Sequence, residues 1–166
     1  MNKDTFPVTT AIRVLRAQHV PFIPCLYTYE VHGGTTVSAR ELGVPERSVI
    51  KTLVMEDDGK KPLIVLMHGD CEVSTKSLAR LLRVKTIQPC AADVAEKHSG
   101  YQIGGTSPFG TRKALPVYME RSIADLPTIY INGGKRGFLV AIASADLIRV
   151  LRPTLVEVAV APLGDD

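Results

Sequence analysis

No two cysteines in the chain form a CxxC pair; the three present, Cys25, Cys71 and Cys90, are odd in number and scattered. No cysteine–histidine spacing suits zinc, so no metal is expected and the thiols read as reduced, as in a cytosolic protein. Long apolar runs are also missing. The first residues, MNKDTFPVTTAIRVLRAQ, hold no unbroken apolar core followed by small residues, which argues against a signal peptide. No run approaches the ~20 residues of a membrane span, so a cytoplasmic protein with no membrane partner is expected. Charge of one sign is not in large excess: the net value is +3, which permits a nucleic-acid partner without requiring one.

The common catalytic signatures are absent too. The run GGKRG lacks the loop length and the hydroxyl of a P-loop, and there is no GxGxxG, so no nucleotide cofactor is expected. Around Ser107 the residues are GTSPF, and Phe109 stands where a nucleophile elbow needs glycine. His19, His32, His68 and His98 are isolated and make no HExxH. The sequence presents neither a protein nucleophile nor a cofactor site.

What is present suits one domain over residues 1–166. A chain of 166 residues buries roughly 70% of its unfolded surface and needs no disulfide or metal to hold it. Thr9 or Thr10 caps a helix through AIRVLRAQH, which Pro21 ends. FIPCLYTYE reads as extended, with Pro24 marking an edge or a bulge. TVSARELG is a short helix stopped by Gly43. SVIKTLVME (48–56), the turn DDGK and PLIVLMH (62–68) make the clearest hairpin. A helix capped by Ser74 or Thr75 follows, then the strand VKTIQP and the helix AADVAEKH. A long loop, GTSPFGTRKALP, leads to VYM and TIYI. NGGKRG (132–137) forms a long basic hairpin tip before FLVAIA. Ser144 caps the last helix, and TLVEVAVAP closes the chain as one strand. Hairpins mixed with helix crossovers indicate an α+β fold, a mixed α/β arrangement, rather than a doubly wound parallel sheet.

Within SVIKTLVME, strict alternation puts Lys51 on one face with Val49, Leu53 and Met55. An ammonium so placed needs an anion, a path to water or an exposed edge. Two glycine-rich loops share one character: IGGTSPFGTRK (103–113) and INGGKRG (131–137). Each glycine pair either lets backbone N–H groups converge on an anion or carbonyl oxygen, or makes a tight turn beside solvated charges.

YTYE (27–30), VIKTLV (49–54), SGYQIGGTSPFG (99–110), LPTIYINGGKRG (126–137) and ADLIRVL (145–151) together resemble the YbaK/EbsC family. That family includes the free-standing Cys-tRNA(Pro) deacylases and is related to the editing domain of bacterial prolyl-tRNA synthetases. The resemblance runs from about Ala11 to Leu151. It implies a curved, mixed, barrel-like sheet flanked by helices, and a trans-editing deacylase that clears mischarged tRNA(Pro), foremost Cys-tRNA(Pro), by attack of the substrate's own thiol. It implies that Lys51 anchors the substrate, that Gly104 and Gly105 shape the catalytic pocket, and that Tyr29, Thr52, Asn132, Gly133 and Gly134 bind the substrate. Arg112, Lys113, Lys135 and Arg136 become candidates for tRNA phosphates, with plain solvated surface as the alternative. Prolyl-tRNA synthetase is an implied companion in a ternary complex.

Three positions depart from the cysteine deacylases. Gly34 stands where they carry phenylalanine, and Leu139 where they carry aspartate; Asn132 also replaces a frequent serine. A different amino acid, alanine foremost, or a tRNA- or nucleotide-binding module without catalysis, are the rival readings these departures raise.

Overall fold

The computed structural model describes residues 5–162; the ends of the expected 1–166 domain, residues 1–4 and 163–166, lie outside the described residues. Helix α1 (Thr10–Ala17) begins where Thr9 Oγ1 accepts from the Ile12 amide, and buries Ala11, Ile12 and Leu15. Strand β1 (Ile23–Leu26) is an edge strand, as Pro24 required, because proline has no N–H to give to a second neighbour. Helix α2 (Gly34–Leu42) ends at Gly43, which takes the left-handed conformation at its C-cap.

The hairpin is β2 (Val49–Asp57) with β3 (Pro62–His68), in register from Ile50↔His68 to Glu56↔Pro62. Its turn is held by Asp57 Oδ1, which accepts from the Gly59 and Lys61 amides. Then come β4 (Glu72–Val73), α3 (Thr75–Leu82), β5 (Ile87–Pro89), α4 (Ala92–Ser99), β6 (Val117–Glu120), β7 (Thr128–Lys135), β8 (Phe138–Ala143), α5 (Ser144–Leu151), β9 (Thr154–Val156) and β10 (Ala159–Val160).

The main sheet runs β1-β8-β7-β2-β3-β6-β9, with β5 also on β2, while β10 pairs β4 separately. It is mixed: β2/β7, β3/β6 and β6/β9 are parallel and the other pairs antiparallel. The expected mixed sheet flanked by helices is therefore present. Among the described residues it is open, with β1 and β9 as its edges, and not a closed barrel.

Both faces of the sheet are covered. Ile50, Val54, Ile64 and Leu66 pack with α1, α4 and α5 on one side. Leu63, Val65 and Met67 pack with α3 on the other, where α2 adds Ala39 against Val49 and Leu139. Burial on both faces explains why β3 is apolar throughout rather than alternating.

Three local expectations are corrected. The NGGKRG tip is short: β7 continues through a bulge between Asn132 and Lys135, and Lys135 pairs with Phe138, leaving Arg136 and Gly137 as the turn. Asn132 Oδ1 makes this possible by accepting from the Gly134 and Lys135 amides. TLVEVAVAP breaks into β9 and β10 because the buried Glu120 carboxylate accepts from the Val158 and Ala159 amides between them. Ser144 opens α5 rather than capping it, since its hydroxyl donates to Leu126 C=O.

Thr9 does two jobs: it caps α1 and donates its hydroxyl proton to Gly133 C=O, tying the helix to the bulge. Thr9→Ala should cost about 1–2 kcal/mol of stability with an unchanged m-value in urea. A shift below about 0.5 kcal/mol would show that solvent replaces both bonds.

Candidate functional site

The cavity of interest comes from an interruption in strand pairing. On the side of β2 away from β3, pairing with β7 ends at Ile50 and pairing with β5 begins at Met55. Residues 51–54 have no partner strand there. Val54 C=O turns to that side, where the Cys90 amide donates to it at 3.1 Å. Peptide groups two residues apart in a strand point the same way, so the Thr52 N–H and C=O open into the gap. The space left is a cavity of about 550 Å³, within the range that holds a drug-sized ligand.

Its walls come from both faces of the sheet: Tyr27, Tyr29, Val37 and Leu139 on the α2 side, Cys90 and Ala95 on the other, with Ile103, Gly104 and Asn132 between. Lys51 is the sole lysine or arginine in this lining. Its Nζ donates to Cys71 C=O, which uses one of its three donor protons and leaves two. The one acid in this lining, Glu30, is paired with Arg40 at 3.3 Å. Thr52 Oγ1 is buried and has no hydrogen-bond partner. The start of α2 also reaches the cavity through Gly34 and Thr35, and its Gly33 cap supplies no side chain to the first amides.

Of the residues singled out from sequence, Tyr29, Gly34, Lys51, Thr52, Gly104, Asn132 and Leu139 line this one cavity. The others stand elsewhere. The Gly105 amide donates to Gln102 C=O and the Gly134 amide to Asn132 Oδ1, so neither is free for a ligand. Gly133 makes room for the Phe138 ring, 2.5 Å from where a Cβ would stand. Of the four glycines, Gly104 is in the cavity lining, while Gly105, Gly133 and Gly134 belong to the loops behind it. Arg112 faces a shallow groove with Asp93, Glu96 and Lys97. Lys113 and Lys135 are exposed, with no ion-pair partner among the described residues.

The sequence reading missed Cys90 and Ala95, because the β2–β5 contact that brings them in is long-range. Among the described residues, no group of three or more His, Cys, Asp or Glu side chains is arranged to hold a metal ion. One serine–histidine hydrogen bond is found among the described residues: His68 Nε2 lies 2.7 Å from Ser122 Oγ. His68 Nδ1 faces Arg47 C=O at 2.8 Å, so Nδ1 carries the proton and Nε2 accepts from the serine. That pair is outside the cavity and His68 is fully buried, so it braces two turns. Cys90 is the thiol in the lining, and burial together with its hydrogen bond to the Glu56 carboxylate pushes its pKa up to about 11.

Residues 33–150 match the aminoacyl-tRNA editing domain family, and the chain belongs to that family. It is 26% identical over 157 residues to a protein of Enterococcus faecalis provisionally named as the Cys-tRNA(Pro)/Cys-tRNA(Cys) deacylase EbsC; the match covers 94% of this chain and 96% of that one. A proline–tRNA ligase of Caldicellulosiruptor bescii shares 27% identity over 97 residues, 58% of this chain but 16% of the ligase. Among solved structures, a protein described as a candidate trans-editing enzyme for prolyl-tRNA synthetase superposes with a TM-score of 0.79 at 17% identity, covering 94% of this chain and all of the other. APE2540, a hypothetical protein, gives 0.83 at 19%, covering 92% of this chain. Both are alike in fold.

Two outcomes test the site's chemistry. Thr52→Val removes a buried hydroxyl that has no partner, so stability in a denaturant melt should hold or rise by about 1 kcal/mol; a loss of that size would mean the hydroxyl is bonded. Because the thiol form of Cys90 persists well above the usual thiol pKa, its alkylation by iodoacetamide should stay slow through pH 9 and climb towards pH 11. A rate already at its plateau at pH 9 would contradict the buried, acid-paired thiol.

Proposed function

We propose that the protein is a trans-editing aminoacyl-tRNA deacylase that clears mischarged tRNA(Pro), with cysteine as the preferred misacylating amino acid. The observation that carries this reading is the cavity in the β2 edge: a ligand-sized space with one unopposed cation, Lys51, and a lining thiol, Cys90, that stays protonated at neutral pH. Membership of the editing family and the near full-length likeness to EbsC support it.

The chemistry asks little of the protein. An aminoacyl ester is already activated, so orientation and a favourable field supply most of what is needed. Lys51 holds the anionic end of the aminoacyl-tRNA. The open Thr52 backbone, Thr52 Oγ1, Tyr29 and Asn132 orient the ester, with Gly104 admitting it closely. For a cysteinyl ester, the substrate sulfur attacks its own carbonyl carbon. The C–S bond forms, the C–O bond to the ribose breaks, and the thiol proton ends on the departing ribose oxygen. A β-thiolactone and free tRNA result. Arg112, Lys113 and Lys135 are the candidates for acceptor-stem phosphates. Prolyl-tRNA synthetase is the candidate partner, and the cytoplasm, where tRNA is charged, the expected location.

A second specificity has its own observation. Leu139 is buried against Ala39 and Val49, giving the cavity an apolar wall that suits alanine as well as cysteine. A pocket separates such similar side chains by only ~10–200-fold.

Single-turnover deacylation of tRNA(Pro) carrying labelled cysteine or alanine, with wild type and Lys51→Ala, decides between them. Cysteine should be lost faster, and the variant should be slower by about 100-fold or more. Faster loss of alanine would move the specificity and keep the class. Loss of neither ester, with tRNA still bound, would overturn the enzyme in favour of a binding module.

A further inference from the structure

Arg136 differs from the other loop cations because its guanidinium is already in use. Its Nε donates to Ile103 C=O at 2.8 Å, and its Cζ stands 5.1 Å from the centre of the Tyr29 ring. Tyr29 and Ile103 belong to separate segments, and both line the cavity.

The surroundings show why these segments need holding together. A Cβ on Gly104 would lie 2.7 Å from the Tyr29 hydroxyl, so the loop rests directly on the ring's polar end. A Cβ on Gly105 would lie 2.8 Å from the Arg136 amide nitrogen, so loop and hairpin turn touch backbone to backbone. Asn132 Nδ2 donates to Gly104 C=O at 3.1 Å, and the Tyr27 amide donates to Gly137 C=O at 2.9 Å. Three segments, 27–29, 103–105 and 132–137, thus meet at one corner of the cavity. Arg136 is the side chain that bonds the second and stacks on the first.

We propose that Arg136 is a positioning residue: it fixes Tyr29 and the 103–105 loop as cavity walls and acts on the ester through them, not by contact with a tRNA phosphate. This rests on the reading of the cavity as the aminoacyl-ester site. The demand is specific to arginine. A lysine keeps the charge but has neither the planar face that stacks on tyrosine nor the lateral N–H that meets Ile103 C=O.

That difference supplies the test. Arg136→Lys and Arg136→Ala should behave alike, with single-turnover deacylation slowed about 10- to 100-fold. The salt slope of tRNA binding should be unchanged in both. In the free protein, hydrogen exchange at amides 103–106 should be faster in both variants than in wild type. Wild-type rates and exchange in Arg136→Lys, with a slope reduced by about one in Arg136→Ala, would make the residue a phosphate contact and overturn the proposal. Exchange needs no substrate, so it separates the two readings. If wild type deacylates nothing but both variants loosen 103–106, the positioning role stands and the enzyme does not. Unchanged exchange in both variants overturns the positioning role whatever the activity.

Discussion

The architecture of the site depends on one unfinished edge. β2 is fully paired with β3, and that hairpin is the spine of both cores. Its other edge is divided between β7 at the start and β5 at the end, and neither reaches residues 51–54. Unpaired strand edges inside a protein leave polar groups that must find partners or a ligand. Here the edge opens into a cavity, so the Thr52 peptide groups are held rigidly by β3 while remaining available. A site built on the flank of a central strand is more precise than one built on a loop, since β2 cannot move without breaking its ladder to β3.

Electrostatics and reactivity follow from that placement. Lys51 projects from the rigid strand, and its ammonium group meets a backbone carbonyl rather than a carboxylate, so its charge is not cancelled. The nearby protein thiol is kept protonated by burial and by Glu56. The cavity therefore attracts an anionic ligand and orients it without offering a strong nucleophile of its own. This division of labour suits a substrate that carries its own reactive group or is already activated.

Local patterns made much of this legible. The Thr9 cap, the Gly43 stop and the β2–β3 hairpin follow from spacing and turn residues, and Lys51 stood out as a cation among apolar neighbours in a strand. The illegible parts are those set by contacts distant in sequence. Nothing in SVIKTLVME shows that its outer edge is shared between β7 and β5, so neither the gap nor Cys90 as its neighbour could be read. The glycine loops left a converging-amide and a tight-turn reading open; Gly105 and Gly134 spend their amides on Gln102 and Asn132, inside the loops themselves. Likewise, Glu120 breaks the final strand from a separate element, so TLVEVAVAP could only read as continuous.

Leu139 connects the cavity's charge to its selectivity. It lies in register with Cys25 on one side and Asn132 on the other, and its side chain packs with Ala39 and Val49 beneath α2. A carboxylate in this buried place would need a cation, and Lys51 is the one the cavity offers. Such a pair would lower the attraction of Lys51 for an incoming anion while adding a polar contact for a substrate side chain. With leucine there, Lys51 keeps its full pull and the wall becomes apolar. In the function we propose, leucine here would strengthen the grip on the nucleotide end and loosen discrimination at the amino-acid end. On that proposal, selectivity would rest on the shape set by α2 and on the substrate's own chemistry, which a thiol can supply and a methyl group cannot.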